Sequence, residues 1–153
     1  MIDSLEIKRQ LFEQCNKYCQ TKLNTILFQI EEIRKALTTE TKSSAGDKHE
    51  TGRAMLQLER EKLGNQLAET QKLQETLSRI QIDKISKTIG LGSVVYTSQV
   101  NYFIAISAGK LQVDNNLFYA ISAQTPIGKL LTGKEFGDEV AFRKMKFIIN
   151  TAI

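Results

Sequence analysis

The chain has 153 residues, enough for one or two small domains with a modest core but not for a large enzyme. It is 41% hydrophobic and 25% charged, with one proline and no tryptophan, the composition of a soluble globular protein. The net charge of +4 is evenly spread, 15 basic and 13 acidic residues up to Lys87 and 6 and 4 beyond it, which excludes a polycationic arm and argues against sequence-specific DNA binding.

The first residues, Met1-Ile2-Asp3-Ser4-Leu5-Glu6-Ile7-Lys8, lack the charged-then-apolar order of a signal peptide, and no apolar run is long enough to cross a bilayer. A cytoplasmic protein with no membrane partner is expected. From Phe12 the apolar positions Phe12, Cys15, Cys19, Leu23, Ile26, Ile30, Ile33 and Leu37 recur three or four residues apart, the spacing of a coiled-coil seam. The two cysteines fall on that stripe without further cysteines to pair with, so they read as small reduced residues on the buried face. Residues 38–45 are weak helix formers, so the helix either frays there or continues only where a partner strand supports it.

Gly46-Asp47-Lys48-His49-Glu50 follows, and from Asp47 a second helix sets Leu56, Leu63, Leu67, Leu73, Leu77 and Ile80 toward the first. The turn thus carries two carboxylates at the apex of an antiparallel hairpin. Capping accounts for both: Gly46 ends one helix in the left-handed region, Asp47 accepts from the orphan amides of the next, and Glu50 reaches back. It does not exclude a second role, because a first-turn carboxylate keeps lone pairs toward solvent. His49, the single histidine, reads as a solvated turn residue, with contact to metal, phosphate or a proton as its alternative. One histidine and two interior cysteines also argue against a cysteine-nucleophile enzyme.

Helical periodicity ends at residues 86–92, which divides the chain into an arm, 1–87, and a second domain, 88–153. Five runs rich in β-branched and aromatic residues predict strands at 93–97, 102–107, 118–122, 139–143 and 147–151, with Asp114-Asn115-Asn116 as a turn between two of them. Phe103-Ile104-Ala105-Ile106-Ser107-Ala108 and Phe118-Tyr119-Ala120-Ile121-Ser122-Ala123 are alike, a pairing rather than a repeat array. Thr125-Pro126 predicts a capped short helix packed on the sheet. The aromatics Tyr96, Tyr102, Phe103, Phe118, Tyr119, Phe136, Phe142 and Phe147 read as core rather than as the lining of a prolyl isomerase pocket, whose tryptophan floor this chain cannot supply. The fold class expected is α+β: an antiparallel helical hairpin, then a small antiparallel β domain with a short helix.

Both halves resemble one family. Gly46-Asp47-Lys48-His49-Glu50 is similar to the Gly-Asp-x-x-Glu-Asn-Ala-Glu-Tyr tip of the bacterial Gre transcript cleavage factors (GreA and GreB). Thr125-Pro126-Ile127-Gly128-Lys129-Leu130-Leu131-Thr132-Gly133-Lys134, continuing to Asp138, resembles their Ser-Pro-Ile-x-x-x-Leu-x-Gly-Lys-x-x-x-Asp signature, the longer and more specific match. The resemblance covers essentially the whole chain and implies an FKBP-like second domain that binds RNA polymerase, with Pro126, Ile127, Lys129, Gly133 and Lys134 in the contact segment. It further implies an arm that enters the secondary channel, where Asp47 and Glu50 help to hold a Mg²⁺ ion shared with the polymerase, while the polymerase itself hydrolyses the displaced 3′ end of its nascent RNA. Mg²⁺ chemistry suits this, since the ion takes six oxygens, commonly from one or two protein carboxylates with waters and phosphates.

The tip departs from the family pattern in having Thr51-Gly52-Arg53-Ala54 where the family has Asn-Ala-Glu-Tyr, and Lys48 and Arg53 set positive charge beside the acids. A Gre-like channel-binding regulator without cleavage stimulation stays open as an alternative, as does a coiled-coil adaptor outside transcription. The seam is expected to close within one chain and the protein to be a monomer, because closing a short connection costs less than associating separate chains.

Overall fold

The computed structural model describes residues 3–42 and 46–153. Two long helices, α1 (Ser4–Lys42) and α2 (Gly46–Ser78), precede β1 (Val94–Thr97), β2 (Asn101–Ala105), β3 (Gly109–Val113), β4 (Asn116–Ser122), α3 (Pro126–Leu131), β5 (Glu139–Phe142) and β6 (Met145–Ala152). The class is α+β, as the sequence implies. The chain divides into two compact units, residues 1–18 with 75–153 and residues 19–74.

Within residues 19–74 the paired helices run antiparallel. Thr21 and Leu73 line one groove with Ile26 and Gln66, and farther along Arg53 Nη1 lies 3.5 Å from the Leu37 carbonyl. Cys19, Ile26 and Ile33 on α1 and Leu63 on α2 are buried, and Leu23, Ile30, Leu37, Leu56, Leu67 and Leu73 are half-buried. The expected seam is therefore the observed one. Thr70 also sits in it, 3% exposed, with its hydroxyl donating to the Gln66 carbonyl at 2.9 Å, which removes the cost of burying a hydroxyl. Thr38 and Thr39 satisfy themselves in the same way against Arg34 and Lys35, and α1 continues through them to Lys42, the second of the two outcomes open to this stretch. At 1.5 Å per residue its 39 residues span about 58 Å.

In the other unit the sheet order is β3-β4-β2-β1-β6-β5. Two features differ from the sequence expectation. The stretch Gly109–Val113, outside the five expected strands, is the edge strand β3, and the Asp114-Asn115 turn joins it to β4, with Asp114 at φ 54. The sheet is also mixed rather than wholly antiparallel, because β2 and β4, the two alike segments, pair in parallel with Tyr102 opposite Tyr119 and Ile104 opposite Ile121. A parallel pair requires a crossover, and here β3 supplies it: the chain passes the end of β4, held by the Ser122 amide donating to Ser107 Oγ and the Ala108 amide to the Ala120 carbonyl.

Along β1 and β2 both faces of this sheet are buried, so β2 reads as a continuous apolar run, whereas β6 alternates with Lys146, Ile148 and Asn150 exposed. One face carries Val95, Tyr102, Ile104, Phe147 and Ile149, packed with Ile89, Val140 and Leu131 of α3. On the other, Val94, Phe103, Ala105, Phe118 and Ala120 are each at most 1% exposed. The first turns of α1 belong to this unit: Leu11 and Cys15 are fully buried, and Gln14 donates to the Gln112 carbonyl of β3 at 2.9 Å. Phe136 is the exception to the core reading of the aromatics. It stands 76% exposed in the turn before β5, outside any strand alternation.

Candidate functional site

The acidic turn lies where the antiparallel pair reverses. α2 opens at Gly46, one residue before the expected start, a difference within the usual latitude of helix ends. The backbones of Gly46, Asp47, Lys48 and His49 belong to its first turn, whereas the side chains of residues 40–49 lie outside the described residues, and with them the capping and ligand roles of Asp47, Lys48 and His49. Glu50 is exposed. The first-turn backbone amides and helix dipole favour negative charge at this end, so an acid here is stabilised without a cationic partner.

Arg53, half-buried, is turned back across the helix pair toward the Leu37 carbonyl. Its charge therefore faces the C-terminal end of α1, where a cation complements the dipole. Among the described residues no group of three or more His, Cys, Asp or Glu side chains could hold a metal ion. A pair of carboxylates on one turn supplies part of an oxygen shell and leaves the remainder to another molecule. Cys15 and Cys19 are in no disulfide, and burial pushes the Cys19 thiol up, away from reactivity.

The second segment, 125–140, is explained in large part by its own backbone. Thr125 caps α3: its hydroxyl accepts from the Gly128 amide at 3.1 Å and donates to the Ser122 carbonyl at 2.7 Å, while Pro126 takes the first helical position. Thr132 closes the other end by donating to the Gly128 carbonyl. Gly133 and Gly137 adopt φ of 88° and 85°, left-handed values that favour glycine. The Gly133 amide donates to Ile89 O and the Ile89 amide to Lys134 O, tying the segment to the start of the β unit. Asp138 accepts from the Glu135 amide at 2.8 Å and so shapes the turn that carries Phe136.

The segment offers to solvent Pro126, Lys129, Leu130 and Phe136, together with Thr132, Gly133, Gly137 and the acids Glu135, Asp138 and Glu139, with Ile127 and Lys134 half-buried. Phe136 was missed as a surface residue because an aromatic in a β-rich stretch reads as core; the flanking Gly137 and Asp138, both turn formers, are the signal that places it outside. Thr125→Ala removes both hydrogen bonds of the cap and is expected to cost roughly 1–2 kcal/mol, read as a lower urea midpoint with unchanged slope.

Among the described residues, no helix is long and apolar enough to cross a membrane. Compared with known proteins, the chain matches no family model, and no curated protein matches its sequence.

Proposed function

We infer that the chain is an accessory factor of bacterial RNA polymerase that reaches the active site through the secondary channel and stimulates cleavage of backtracked RNA. The observation that carries this reading is the placement of Asp47 and Glu50, which fall in the first turn of α2, at the end of the antiparallel helix pair where α1 stops at Lys42. A hairpin needs no acid to reverse its direction, and a helix pair with carboxylates in the first turn of its second helix suits delivery of oxygen ligands to a partner's site. The likeness of residues 46–50 and 125–138 to the Gre factors supports the same reading.

Asp47 and Glu50 are hard oxygen donors of the type Mg²⁺ selects, and as two ligands they need the polymerase's acidic cluster and RNA phosphates to complete a site. Such an ion would activate water for attack on the phosphodiester. The chain's own part is to position carboxylates; the hydrolytic site belongs to the polymerase. Contact with the polymerase falls to the exposed side chains of 125–138, chiefly Lys129 and Phe136.

The test is a stalled, backtracked elongation complex with labelled RNA. Wild type is expected to shorten the RNA from its 3′ end. The Asp47→Ala, Glu50→Ala double variant should still bind polymerase, yet lose stimulation by at least the roughly 10- to 100-fold that removal of even an outer-shell metal partner costs. Undiminished cleavage by the double variant would sink the ligand role. A wild type that displaces a Gre factor without cleaving would favour the channel-binding regulator, a reading to which the turning of Arg53 toward Leu37, in place of an acid, gives specific support.

A further inference from the structure

Lys8 is a charged residue the helical pattern does not explain. It lies on α1 one turn before the fully buried Leu11 and is itself 3% exposed. Its ammonium has three donors, and one of them goes to the Lys84 carbonyl at 2.6 Å. Among the described residues no carboxylate pairs with it: neighbouring Arg9 takes Asp83 at 2.9 Å, and Glu75 faces Arg79. Burial accordingly pushes the Lys8 pKa down. A buried ammonium with spare donors and no counter-charge is costly unless something else supplies the negative charge.

The surroundings provide room for it. Lys8 lines a cavity of about 200 Å³ together with Arg79, Lys84, Ser86, Thr88 and Ser93, and no acidic side chain is among the lining residues. Three cations and the Ser93 hydroxyl around a small polar cavity supply donors suited to a phosphate group: ammonium and guanidinium for charge, and for a further oxygen the Ser93 hydroxyl, which accepts from the Gly90 amide, whereas the Ser86 hydroxyl donates to the Thr88 carbonyl and the Thr88 hydroxyl to Glu135. Every lining residue belongs to the unit formed by 1–18 and 75–153.

We propose that this cavity is a binding site for a phosphate group, carried by inorganic phosphate or by a mononucleotide, with the Lys8 ammonium as its central ligand and Arg79 as its outer clamp. The site is independent of the acidic turn and of the polymerase reading. Arg79 is bound to its own helix by a 4.0 Å contact with Glu75 and a 3.4 Å contact with Thr76, both exposed and weak, so its guanidinium is able to turn inward.

The experiment is a titration of the full chain with inorganic phosphate and, separately, with adenosine monophosphate, followed through the backbone amide shifts of Gly90, Leu91 and Ser93. Saturable shifts confined to these residues and to α1 near Lys8 are expected, with affinity lowered at least tenfold by Lys8→Met and several-fold by Arg79→Gln. Arg79 is 61% exposed, so Arg79→Gln leaves the fold unchanged and keeps the test valid if Lys8→Met does not fold. Tighter binding of the mononucleotide would identify a nucleotide as the source; equal binding would identify phosphate alone. Absence of saturable binding of either probe up to tens of millimolar would overturn the proposal, as would binding that both variants retain in full.

Discussion

Gly128→Ala is expected to destabilise the sheet-bearing unit by roughly 3 kcal/mol, lowering its melting temperature by about 12 to 24 °C. A β-carbon at this position would stand 2.2 Å from the Ser122 carbonyl oxygen, 2.9 Å from Thr125 Oγ1 and 3.0 Å from Ala123 Cα. The nearest obstacle is backbone, and it is pinned, since the same carbonyl accepts from both the Thr125 amide and the Thr125 hydroxyl. Relief therefore requires moving β4 or breaking the cap of α3. Helix propensity works the other way, favouring alanine over glycine by about 1 kcal/mol, and the steric term outweighs it.

The internal control is Gly64→Ala on α2. There the nearest atom to a new β-carbon is the Arg60 guanidinium at 3.2 Å, the far end of a flexible side chain. That variant is expected to gain roughly 0.5–1 kcal/mol. Urea unfolding followed by tyrosine fluorescence for the first variant and by helical circular dichroism for the second measures both. A Gly128→Ala protein as stable as wild type would mean that α3 does not sit as closely on β4 as described.

The same residue shows how far the sequence could be read. The Thr125-Pro126 cap and the short helix are local chemistry and follow from two residues, and the structure bears them out. The seam was equally legible, because Cys15, Cys19, Ile26 and Ile33 repeat at a spacing that only a helix turns into one face. β3 was not legible: Gly109-Lys110-Leu111-Gln112-Val113 is short, opens with glycine, and has one buried residue, since an edge strand makes its hydrogen bonds on one side and needs little apolar content. Nor was the parallel pairing of β2 with β4, which depends on a crossover that no local pattern encodes. Lys8 was hidden for a different reason. A lysine on a helix is read as solvent-facing, and its burial arises from the Lys84 carbonyl, 76 residues away in sequence. The likeness to the Gre signature at 125–138 is mostly a statement about backbone, with Thr125, Pro126, Gly133 and Asp138 required by the cap and turns they make. The candidate contact residues are the ones those turns leave outside.

Phe118→Ala is expected to cost roughly 3–5 kcal/mol, the range for deleting a fully buried aromatic side chain. Phe118 is 0% exposed on β4, which is hydrogen-bonded on both sides, to β3 through Leu111 and to β2 through Asn101. A strand held at both edges cannot move inward to fill a void, so most of the cavity term remains. The ring also packs edge-to-face on Tyr96, with centroids 5.7 Å apart at 76°, a contact worth about 0.5–1.5 kcal/mol beyond burial. Phe136→Ala removes the same atoms from a side chain that is 76% exposed and is expected to change stability by less than about 0.5 kcal/mol. The two variants thus separate folding from function. Phe118→Ala should lower the urea midpoint and weaken polymerase binding only as far as the folded fraction falls, whereas Phe136→Ala should melt like wild type and, under the proposed function, weaken polymerase binding directly. A Phe118→Ala protein within 1 kcal/mol of wild type would refute the account of a dry second face on the sheet. A Phe136→Ala protein that binds polymerase undiminished would remove this turn from the contact surface.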